Sequence, residues 1–244
     1  MTPIPMIQAR GVTYAYDQRT AVNRLELSVA AGEFVCLVGP NGSGKTTALR
    51  LLAGELVPAE GEALIDGAAL WRLGVRERAS HRAFLAQHDR RDVPYPVRTV
   101  VGFGAYASAM DTHEREARVT RALSALEIGG LADRPVAELS GGERRRVAIA
   151  RTLVQDGTVL LMDEPTDSLD LGHADVVMRR CRSEARDGRA VVVSTHDLNL
   201  AARHADTVVM LRHGEVRSVG TASDVLTAEA LSEVYECDVR VMQH

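Results

Sequence analysis

The chain has 244 residues, a length that fits one large domain or two small ones. Its hydrophobic content of 45% allows a substantial core and excludes a disordered chain. The formal charge of -4 gives no general reason to bind nucleic acid, and no nucleic-acid partner is expected. Three widely spaced cysteines, Cys36, Cys181 and Cys237, are predicted to be free thiols in a reducing compartment, because their number and spacing suit neither a disulfide framework nor a zinc site.

The sequence predicts neither a secretion signal nor a membrane span. The first ten residues contain Pro3 and Pro5 but no basic region followed by an apolar stretch. The longest apolar runs, near Leu160 and Val191, fall far short of the roughly 20 residues that a membrane-spanning helix needs. If the protein acts at a membrane, another chain is expected to supply the spans.

Short β-like runs alternate with longer helical patterns, which predicts a mostly parallel sheet flanked by helices. The first predicted strands, Ile7 to Tyr14 and Leu25 to Val29, belong to a smaller antiparallel sheet. Phe34 to Val38 is an apolar strand that a glycine-rich loop connects to a helix starting near Lys45. The later predicted elements are a helical region from about Gln87 to Ser140 with helix starts at Thr99 and Thr112, strands at Val159 to Met162, Val191 to Ser194 and Thr207 to Leu211, and short helices from Thr221 to Tyr235.

Residues 39–46 fit the phosphate-binding loop G-x-x-x-x-G-K-[ST], in which backbone N–H groups and a helix N-terminus bind nucleotide phosphates. Lys45 would bridge the terminal phosphates, and Thr46 would place its hydroxyl on Mg²⁺. Lys45 is also the only lysine among 29 basic residues, which predicts a place where a compact ammonium is needed. The predicted nucleotide-binding residues here are Gly39, Pro40, Asn41, Gly42, Ser43, Gly44, Lys45, Thr46 and Thr47.

Two adjacent carboxylates follow the predicted strand at Val159 to Met162. Asp163 suits the coordination shell of Mg²⁺. Glu164 is expected to point the other way along an extended backbone, where it could act as the general base that polarises an attacking water. A strand that ends in Asp-Glu is common, so this interpretation depends on the phosphate-binding loop upstream.

With these motifs, the chain resembles the nucleotide-binding domains of the ATP-binding cassette (ABC) family over nearly its whole length. The sequence Leu-Ser-Gly-Gly-Glu at 139–143 resembles the signature motif that simple P-loop kinases and GTPases lack. Ser140, Gly141 and Gly142 would open a helix, so that its N–H groups and the Ser140 hydroxyl form a second anion-binding site. In the family this site caps the terminal phosphate of ATP held by the partner subunit. The resemblance therefore implies a dimer of two copies with two composite sites.

The remaining motifs of the family occur in order, and their roles are what the resemblance implies. Gln87 matches the loop glutamine that contacts Mg²⁺ and water, and His196 matches the histidine that senses the terminal phosphate. Asp170 belongs to the loop that crosses the dimer interface. Tyr16 matches the aromatic residue that stacks on adenine, although Tyr14 is a near neighbour. The implied catalytic residues are Glu164, His196 and Gln87; the implied metal ligands are Thr46, Gln87 and Asp163.

Two positions depart from the family pattern. Glu143 ends the signature where glutamine is more frequent, and Asp167-Ser168 stands where serine and alanine are usual. Neither change removes a group that contacts phosphate or Mg²⁺, although either could alter dimer affinity or coupling. Because Glu164 is present, hydrolysis of ATP is expected as well as binding.

The resemblance implies an α/β fold: a P-loop NTPase core with a mostly parallel sheet, a small antiparallel β subdomain and an inserted α-helical subdomain. We expect one domain over residues 1–244, with the core in 1–87 and 141–244 and the helical insert in 88–140. ATP and Mg²⁺ are the implied cofactors. Arg144 to Arg146 could form a nucleic-acid patch, but interface and phosphate contacts are favoured in an acidic chain.

Residues 88–106 lie where subunits of this family receive the coupling helix of a membrane partner. Two prolines, Pro94 and Pro96, and a helix start suit a docking groove, and an ordinary loop fits them equally well. This segment and the tail from Leu231 to Val239 resemble bacterial importers of iron chelates, haem, cobalamin and metal ions. Such a subunit would lie in the cytoplasm on the inner face of the membrane, held by permease subunits that act with a solute-binding protein. No residue identifies the cargo.

Two other functions remain open from the sequence. The first is the ATPase subunit of an ABC exporter, which would differ only in its partner. The second is a non-transport ABC ATPase that remodels nucleic acid or protein complexes. Proteins of that second class usually carry paired cassettes or a long coiled-coil insert, whereas this chain has one cassette with a short helical insert.

Overall fold

The computed structural model describes residues 5–87, 93–108 and 110–242. Its strands form one sheet of six strands and one of four. The strands are, in chain order, β1 (Pro5–Tyr16), β2 (Arg19–Ala30), β3 (Phe34–Val38), β4 (Glu60–Ile65), β5 (Ala68–Ala69), β6 (Arg82–Leu85), β7 (Val159–Asp163), β8 (Ala190–Ser194), β9 (Thr207–Arg212) and β10 (Glu215–Gly220).

The α-helices flank the larger sheet or lie in the part of the chain that connects β6 to β7. They are, in chain order, α1 (Lys45–Leu52), α2 (Val75–His81), α3 (Val97–Gly102), α4 (Thr112–Ala125), α5 (Gly141–Leu153), α6 (Leu171–Arg186), α7 (Leu198–His204), α8 (Ala222–Val225) and α9 (Ala228–Tyr235). Short 3₁₀ helices occupy Leu70–Arg72, Phe103–Ala107, Gly129–Leu131 and Val136–Glu138. None of the helices in the described ranges combines the length and apolar character that a membrane crossing requires.

The larger sheet has the strand order β10-β9-β3-β8-β7-β6, in which all neighbours except β10 and β9 pair in parallel. The smaller sheet, β2-β1-β4-β5, is antiparallel throughout. Parallel strands place their carboxyl ends at one edge of a sheet, where ligands bind in open α/β folds. The loops after β3, β6, β7 and β8 therefore meet at that edge.

Strand β3 separates two hydrophobic clusters, which explains why its residues are apolar throughout. Phe34, Cys36 and Val38 pack on the side of α5 and α6, whereas Val35 and Leu37 pack on the side of α1 and the smaller sheet. All five side chains are buried. A strand covered on both faces reads as a continuous apolar run, and this run holds the phosphate-binding loop rigidly at its end.

The predicted fold class is confirmed, and most of the predicted elements appear with small shifts in their bounds. Helix α3 begins at Val97, two residues before the predicted start. Pro96 is its N-cap, and the proline ring prevents the helix from extending further toward the N-terminus. Helix α4 begins at Thr112 as predicted, with Asp111 as its N-cap. Strands β4, β5 and β10 are not predicted from the sequence. Gly61 and exposed glutamates interrupt the apolar pattern of β4, and β5 is only two residues long.

The three cysteines form no disulfide within the described residues, as the sequence predicts. Cys36 and Cys181 are buried, and Cys237 is exposed. Burial raises the pKa of the Cys181 thiol to about 12 and raises the pKa of Cys36 further, so both remain protonated at neutral pH.

Candidate functional site

The phosphate-binding loop lies between β3 and α1, and its backbone conformation requires glycine at two positions. Gly39 has a φ of 145°, and a Cβ atom there would lie 2.2 Å from the carbonyl oxygen of Leu211. Gly44 has a φ of 105°, and a Cβ atom there would lie 2.5 Å from the carbonyl oxygen of Ala21. The surrounding backbone therefore packs directly against the loop, which fixes the direction of its N–H groups.

The side chain of Lys45 is buried and folds back over this loop. Its Nζ donates to the carbonyl oxygens of Gly39 at 2.7 Å and Pro40 at 3.1 Å, and lies 3.8 Å from Oε1 of Glu164. Burial lowers the pKa of Lys45, while the negative charge of Glu164 opposes that shift. An ammonium in this position is ready to meet an anion that enters the loop.

Asp163 lies beneath the loop at the end of β7 and is almost fully buried. Its Oδ1 accepts hydrogen bonds from Thr46 Oγ1 at 3.2 Å and Ser194 Oγ at 2.6 Å. Its Oδ2 is buried and has no hydrogen-bond partner among the described residues. Burial raises the pKa of Asp163, and the two hydroxyl donors oppose that rise. An unpaired carboxylate oxygen beside a hydroxyl is the oxygen donor set that a hard divalent cation prefers.

The prediction that Glu164 continues an extended backbone and points away from Asp163 is wrong. Glu164 has a φ of 47°, in the left-handed region, because its N–H turns to donate to the backbone oxygen (3.2 Å) and hydroxyl (2.9 Å) of Ser194. This turn directs the carboxylate back toward Lys45. The carboxylates of Asp163 and Glu164 therefore both lie against the phosphate-binding loop, that of Asp163 beneath it and that of Glu164 beside it. A left-handed non-glycine residue costs free energy, and such residues occur often at functional sites.

His196 lies beside Glu164 in the loop that follows β8. Its Nδ1 is 2.7 Å from Oε2 of Glu164 and 3.4 Å from Oδ1 of Asp167. The hydrogen bond to Glu164 raises the pKa of this exposed histidine. Burial raises the pKa of Asp167, and the negative charge of Glu164 raises it further. Asp167, one of the two departures from the family pattern, thus places a second carboxylate against the histidine.

A cavity of about 530 Å³ opens above the loop. Tyr16 and Gln87 both line it, as do Glu164 and the loop residues 41–47. Tyr16 is partly exposed, packs edge-on against Tyr14 at 5.0 Å between ring centroids, and accepts a hydrogen bond from Arg50. Of the two tyrosines, Tyr16 is the one that faces the cavity.

The predicted signature residues lie at the start of α5 and do not line that cavity. Ser140 is the N-cap: its Oγ accepts from the backbone N–H of Glu143 at 3.3 Å. The Glu143 carboxylate in turn accepts from the N–H and the hydroxyl of Ser140, both at 2.8 Å. These hydrogen bonds lower the pKa of Glu143. Glu143, which stands where the family more often has glutamine, thus completes a capping box, while Ser140 and Gly141 remain exposed.

Asp170 also lies away from the cavity, as the N-cap of α6. Its side chain accepts a hydrogen bond from the N–H of His173 at 2.9 Å and contacts the ring of the same histidine. These contacts lower the pKa of Asp170. Within one copy the predicted residues therefore form two groups, one around Lys45 and one at the exposed starts of α5 and α6.

Arg145 is a residue of the site that sequence reasoning missed. The sequence favours interface and phosphate contacts for Arg144 to Arg146, yet Arg145 binds carbonyl oxygens of its own chain, including those of Asp163 and Glu164. A signal for this existed: Ala148 and Ile149, one helical turn later, are buried, so periodicity places an arginine on the core face of α5.

The segment with a predicted docking role is described from Val93 onward, and residues 88–92 lie outside the described residues. Tyr95, before α3, and Phe103 and Tyr106, after it, are exposed aromatic side chains. Phe103 and Tyr106 border a cavity of about 1220 Å³ between α3 and α4, which Arg98 and Arg115 also line. Exposed aromatic residues beside such a concave surface are typical of protein interaction sites.

The chain matches the ABC transporter family over residues 22–167. The hemin import ATP-binding protein HmuV of Streptomyces coelicolor is 43% identical over 97% of this chain and 85% of that protein. HmuV of Pseudomonas aeruginosa is 38% identical over 98% of this chain and 96% of that protein.

Solved structures agree with these relatives. The dimeric bacterial ABC transporter cassette MJ0796 is 31% identical over 89% of this chain and 99% of that one, with a TM-score of 0.79. The same cassette bound to ADP and Pi in a post-hydrolysis state is 30% identical, with a TM-score of 0.78 over the same shares. The resemblance found in the sequence is thereby confirmed: the chain belongs to the ABC transporter family and is one of its ATP-hydrolysing cassettes.

Proposed function

We propose that this chain is the ATP-hydrolysing subunit of a hemin importer. The hemin import names of its relatives support the cargo. The observation that carries the hydrolytic part is the meeting of Lys45, Asp163, Glu164 and His196 at one edge of the sheet. These groups would supply a phosphate-binding cation, a metal-binding carboxylate, a base and a hydrogen-bonding partner that orients that base.

The phosphate-binding loop would hold the phosphates of ATP through its N–H groups and Lys45. Thr46, Asp163 and Gln87 would hold Mg²⁺, and the unpaired Oδ2 of Asp163 fits that role. When bound, Mg²⁺ would neutralise charge on the phosphates during transfer. Tyr16, at the rim of the cavity, would stack on adenine. Ser43, whose buried hydroxyl has no hydrogen-bond partner in the described part of the chain, would donate to a phosphate.

Glu164 would act as the general base on the attacking water. Its contacts to Lys45 and His196 hold the carboxylate at the mouth of the loop. The hydrogen bond that raises the pKa of His196 would let Nδ1–H donate to this carboxylate and hold its orientation. His196 and Gln87 would thus position the water and sense the terminal phosphate.

The starts of α5 and α6 would complete the site of a second copy. Gly141 and Gly142 present N–H groups at an exposed helix start, at which an anion is favoured. The Ser140 hydroxyl would exchange its hydrogen bond to Glu143 for one to that anion. Asp170 lies at the neighbouring exposed helix start. Two copies would therefore close around two Mg-ATP, as the dimeric form of the relative MJ0796 supports, and reopen after hydrolysis.

Permease subunits would dock at the exposed aromatic surface around Phe103 and Tyr106. This contact would hold the chain at the cytoplasmic face of the membrane, with a solute-binding protein acting on the opposite side. Gln87 lines the nucleotide cavity and precedes that surface in the chain, so closure of the dimer would reach the permease through this part of the sequence. We expect no nucleic-acid partner, since Arg145, the middle residue of the arginine run, is occupied by its own chain.

A transport assay tests this function. The chain would be purified with its permease from the native membrane, placed in proteoliposomes and supplied with ATP, hemin and the co-purifying binding protein. We expect ATP-dependent hemin uptake that Glu164→Gln abolishes and that Glu62→Gln, a change at an exposed residue of β4, preserves. Uptake that survives Glu164→Gln would contradict the role of Glu164, and uptake of another cargo in place of hemin would contradict the cargo.

A further inference from the structure

Arg145 lies one turn into α5 and joins this helix to two other segments of the nucleotide site. Its guanidinium donates to Asp163 O at 2.8 Å and Glu164 O at 2.7 Å, after β7, and more distantly to Pro165 O at 3.3 Å. It also donates to Ala86 O at 3.4 Å and Gln87 O at 3.2 Å, after β6. One side chain therefore binds the backbone of the segment after β7, which holds Asp163 and Glu164, and of the segment after β6, which holds Gln87.

The chemistry of a guanidinium suits this position. Its planar group offers five N–H donors in a fixed arrangement, and each of the five contacts falls on a backbone carbonyl. Burial lowers the pKa of Arg145, but the negative charges of Asp167, Asp163 and Glu164 oppose that shift. Arginine stays charged in proteins, so these hydrogen bonds keep their charge-assisted character.

The contacts to β7 bear directly on the left-handed turn at Glu164. That turn directs the carboxylate toward Lys45 and costs free energy for a residue with a side chain. Arg145 binds the carbonyls of Asp163 and Glu164, which are the peptide groups on either side of the turn. It thereby stabilises the conformation in which Glu164 faces the nucleotide. Ser140, the exposed start of the same helix, is little more than one turn away.

We propose that Arg145 is a positioning residue for ATP hydrolysis: it fixes the backbone of Glu164 and Gln87 to the signature helix α5, so that movement of the helix start is transmitted to the base. This inference rests on the role proposed for Glu164. Misplacement of a reacting group by about 1 Å can cost on the order of 10²-fold in rate, so the loss of this contact should reduce turnover more than nucleotide affinity.

The test is ATPase kinetics of Arg145→Ala, Arg145→Lys and the matched control Arg189→Ala. Arg189 is also partly buried and also donates to backbone carbonyls, those of Gly157 and Gln155, but it precedes β8 at the opposite edge of the sheet. Removing it should lower the melting temperature without touching the site.

We expect Arg145→Ala to lower kcat at least about tenfold while KM for ATP changes less than about threefold. Arg145→Lys should also lose turnover, because a single ammonium cannot reach carbonyls on both segments. Arg189→Ala should keep kcat within about twofold of wild type despite a lower melting temperature. If Arg145→Ala does not fold, the kcat of Arg145→Lys decides the question.

Wild-type kcat in Arg145→Ala or Arg145→Lys would overturn the proposal, as would kcat losses in the Arg145 and Arg189 variants that simply follow their melting temperatures. Glu164→Gln, measured in parallel, separates the two claims. If Glu164→Gln retains turnover, Glu164 is not the base, and the positioning role proposed for Arg145 fails as well. If Glu164→Gln is inactive while the Arg145 variants are fully active, only the positioning role fails.

Discussion

Helices α1 and α5 both begin at glycine-rich segments, but their first turns are built differently. Helix α1 starts after Gly44, a residue without a side chain to cap it, and Lys45 folds over the loop. Helix α5 starts after Ser140, which forms a capping box with Glu143, and its start is exposed. The first helix start has a cation of its own beside the loop. The second has no lysine beside it and is capped by its own chain.

The two helix starts are the two halves of the proposed composite site, and this difference shows what each half contributes. The half around Lys45 carries the groups that would bind and react with a nucleotide, and backbone packing at Gly39 and Gly44 fixes it in place. In the proposed dimer, the half at Ser140 would offer hydrogen-bond donors to an anion that the other copy holds. Variants at the two helix starts should therefore fail in different assays.

The largest expected difference is in nucleotide affinity. Lys45→Ala removes a buried ammonium and should weaken Mg-ATP binding by about 100-fold, equivalent to about 2.8 kcal/mol. Gly141→Asp should leave binding to a single copy within about twofold of wild type, because residue 141 does not line the cavity. Titration calorimetry measures both affinities, with Gly141→Asn as the uncharged control. Equal losses in Lys45→Ala and Gly141→Asp would remove the distinction between the two halves.

The next largest difference is expected in the free energy of unfolding, between a glycine of the Lys45 half and a glycine of the Ser140 half. Gly39→Ala forces a side chain against the carbonyl of Leu211 and should lower the free energy of unfolding by about 2 kcal/mol. Gly141→Ala meets no atom within 4 Å and should change the same quantity by less than about 0.5 kcal/mol. Urea unfolding of the two variants checks this. A larger loss in Gly141→Ala than in Gly39→Ala would contradict it.

The titration of His196 should respond to Glu164 and not to the half at Ser140. The hydrogen bond to Glu164 raises the pKa of His196 above its ordinary value of 6.5, and NMR should find it lower in Glu164→Gln. Because the folded-state pKa is raised, the resulting stabilisation is fully present below pH 6.5 and is lost as pH rises through the folded-state value. Glu143→Gln, in the other half, should leave the titration unchanged. An unchanged midpoint in Glu164→Gln would show that the contact is absent in solution.

The smallest expected effect is that of Glu143 on the start of α5. Glutamine can keep the capping box but lacks the charge that favours a helix N-terminus, so Glu143→Gln should cost about 0.3–1 kcal/mol at low salt. The pKa of Glu143 is lowered in the folded state. The stabilisation is therefore present above the ordinary value of 4.5 and disappears as pH falls through the folded-state pKa. Thermal unfolding at pH 7 and pH 3 measures it, and a variant more stable than wild type at pH 7 would contradict it.

Local patterns predicted the parts of the site that depend on local geometry. The loop at 39–46 and the start of α5 after Ser140 follow from glycine spacing and from a capping residue, and both are where the sequence places them. The turn at Glu164 could not be predicted, because it depends on Ser194, thirty positions later in the chain. The contacts of Arg145 depend on two loops that only the sheet brings together. Helical periodicity indicates that Arg145 faces the core, but it does not indicate which distant backbone segments the side chain contacts.

The most direct test of the two-half account is to mix two inactive copies. Lys45→Ala carries an intact start of α5, and Gly141→Asp carries an intact phosphate-binding loop but repels phosphate at that helix start. A dimer of the two variants has one site in which both halves are wild type. We predict that the mixture hydrolyses ATP although neither variant does so alone. A mixture as inactive as its components, with Gly141→Asp still binding Mg-ATP, would show that the two halves do not meet across a dimer.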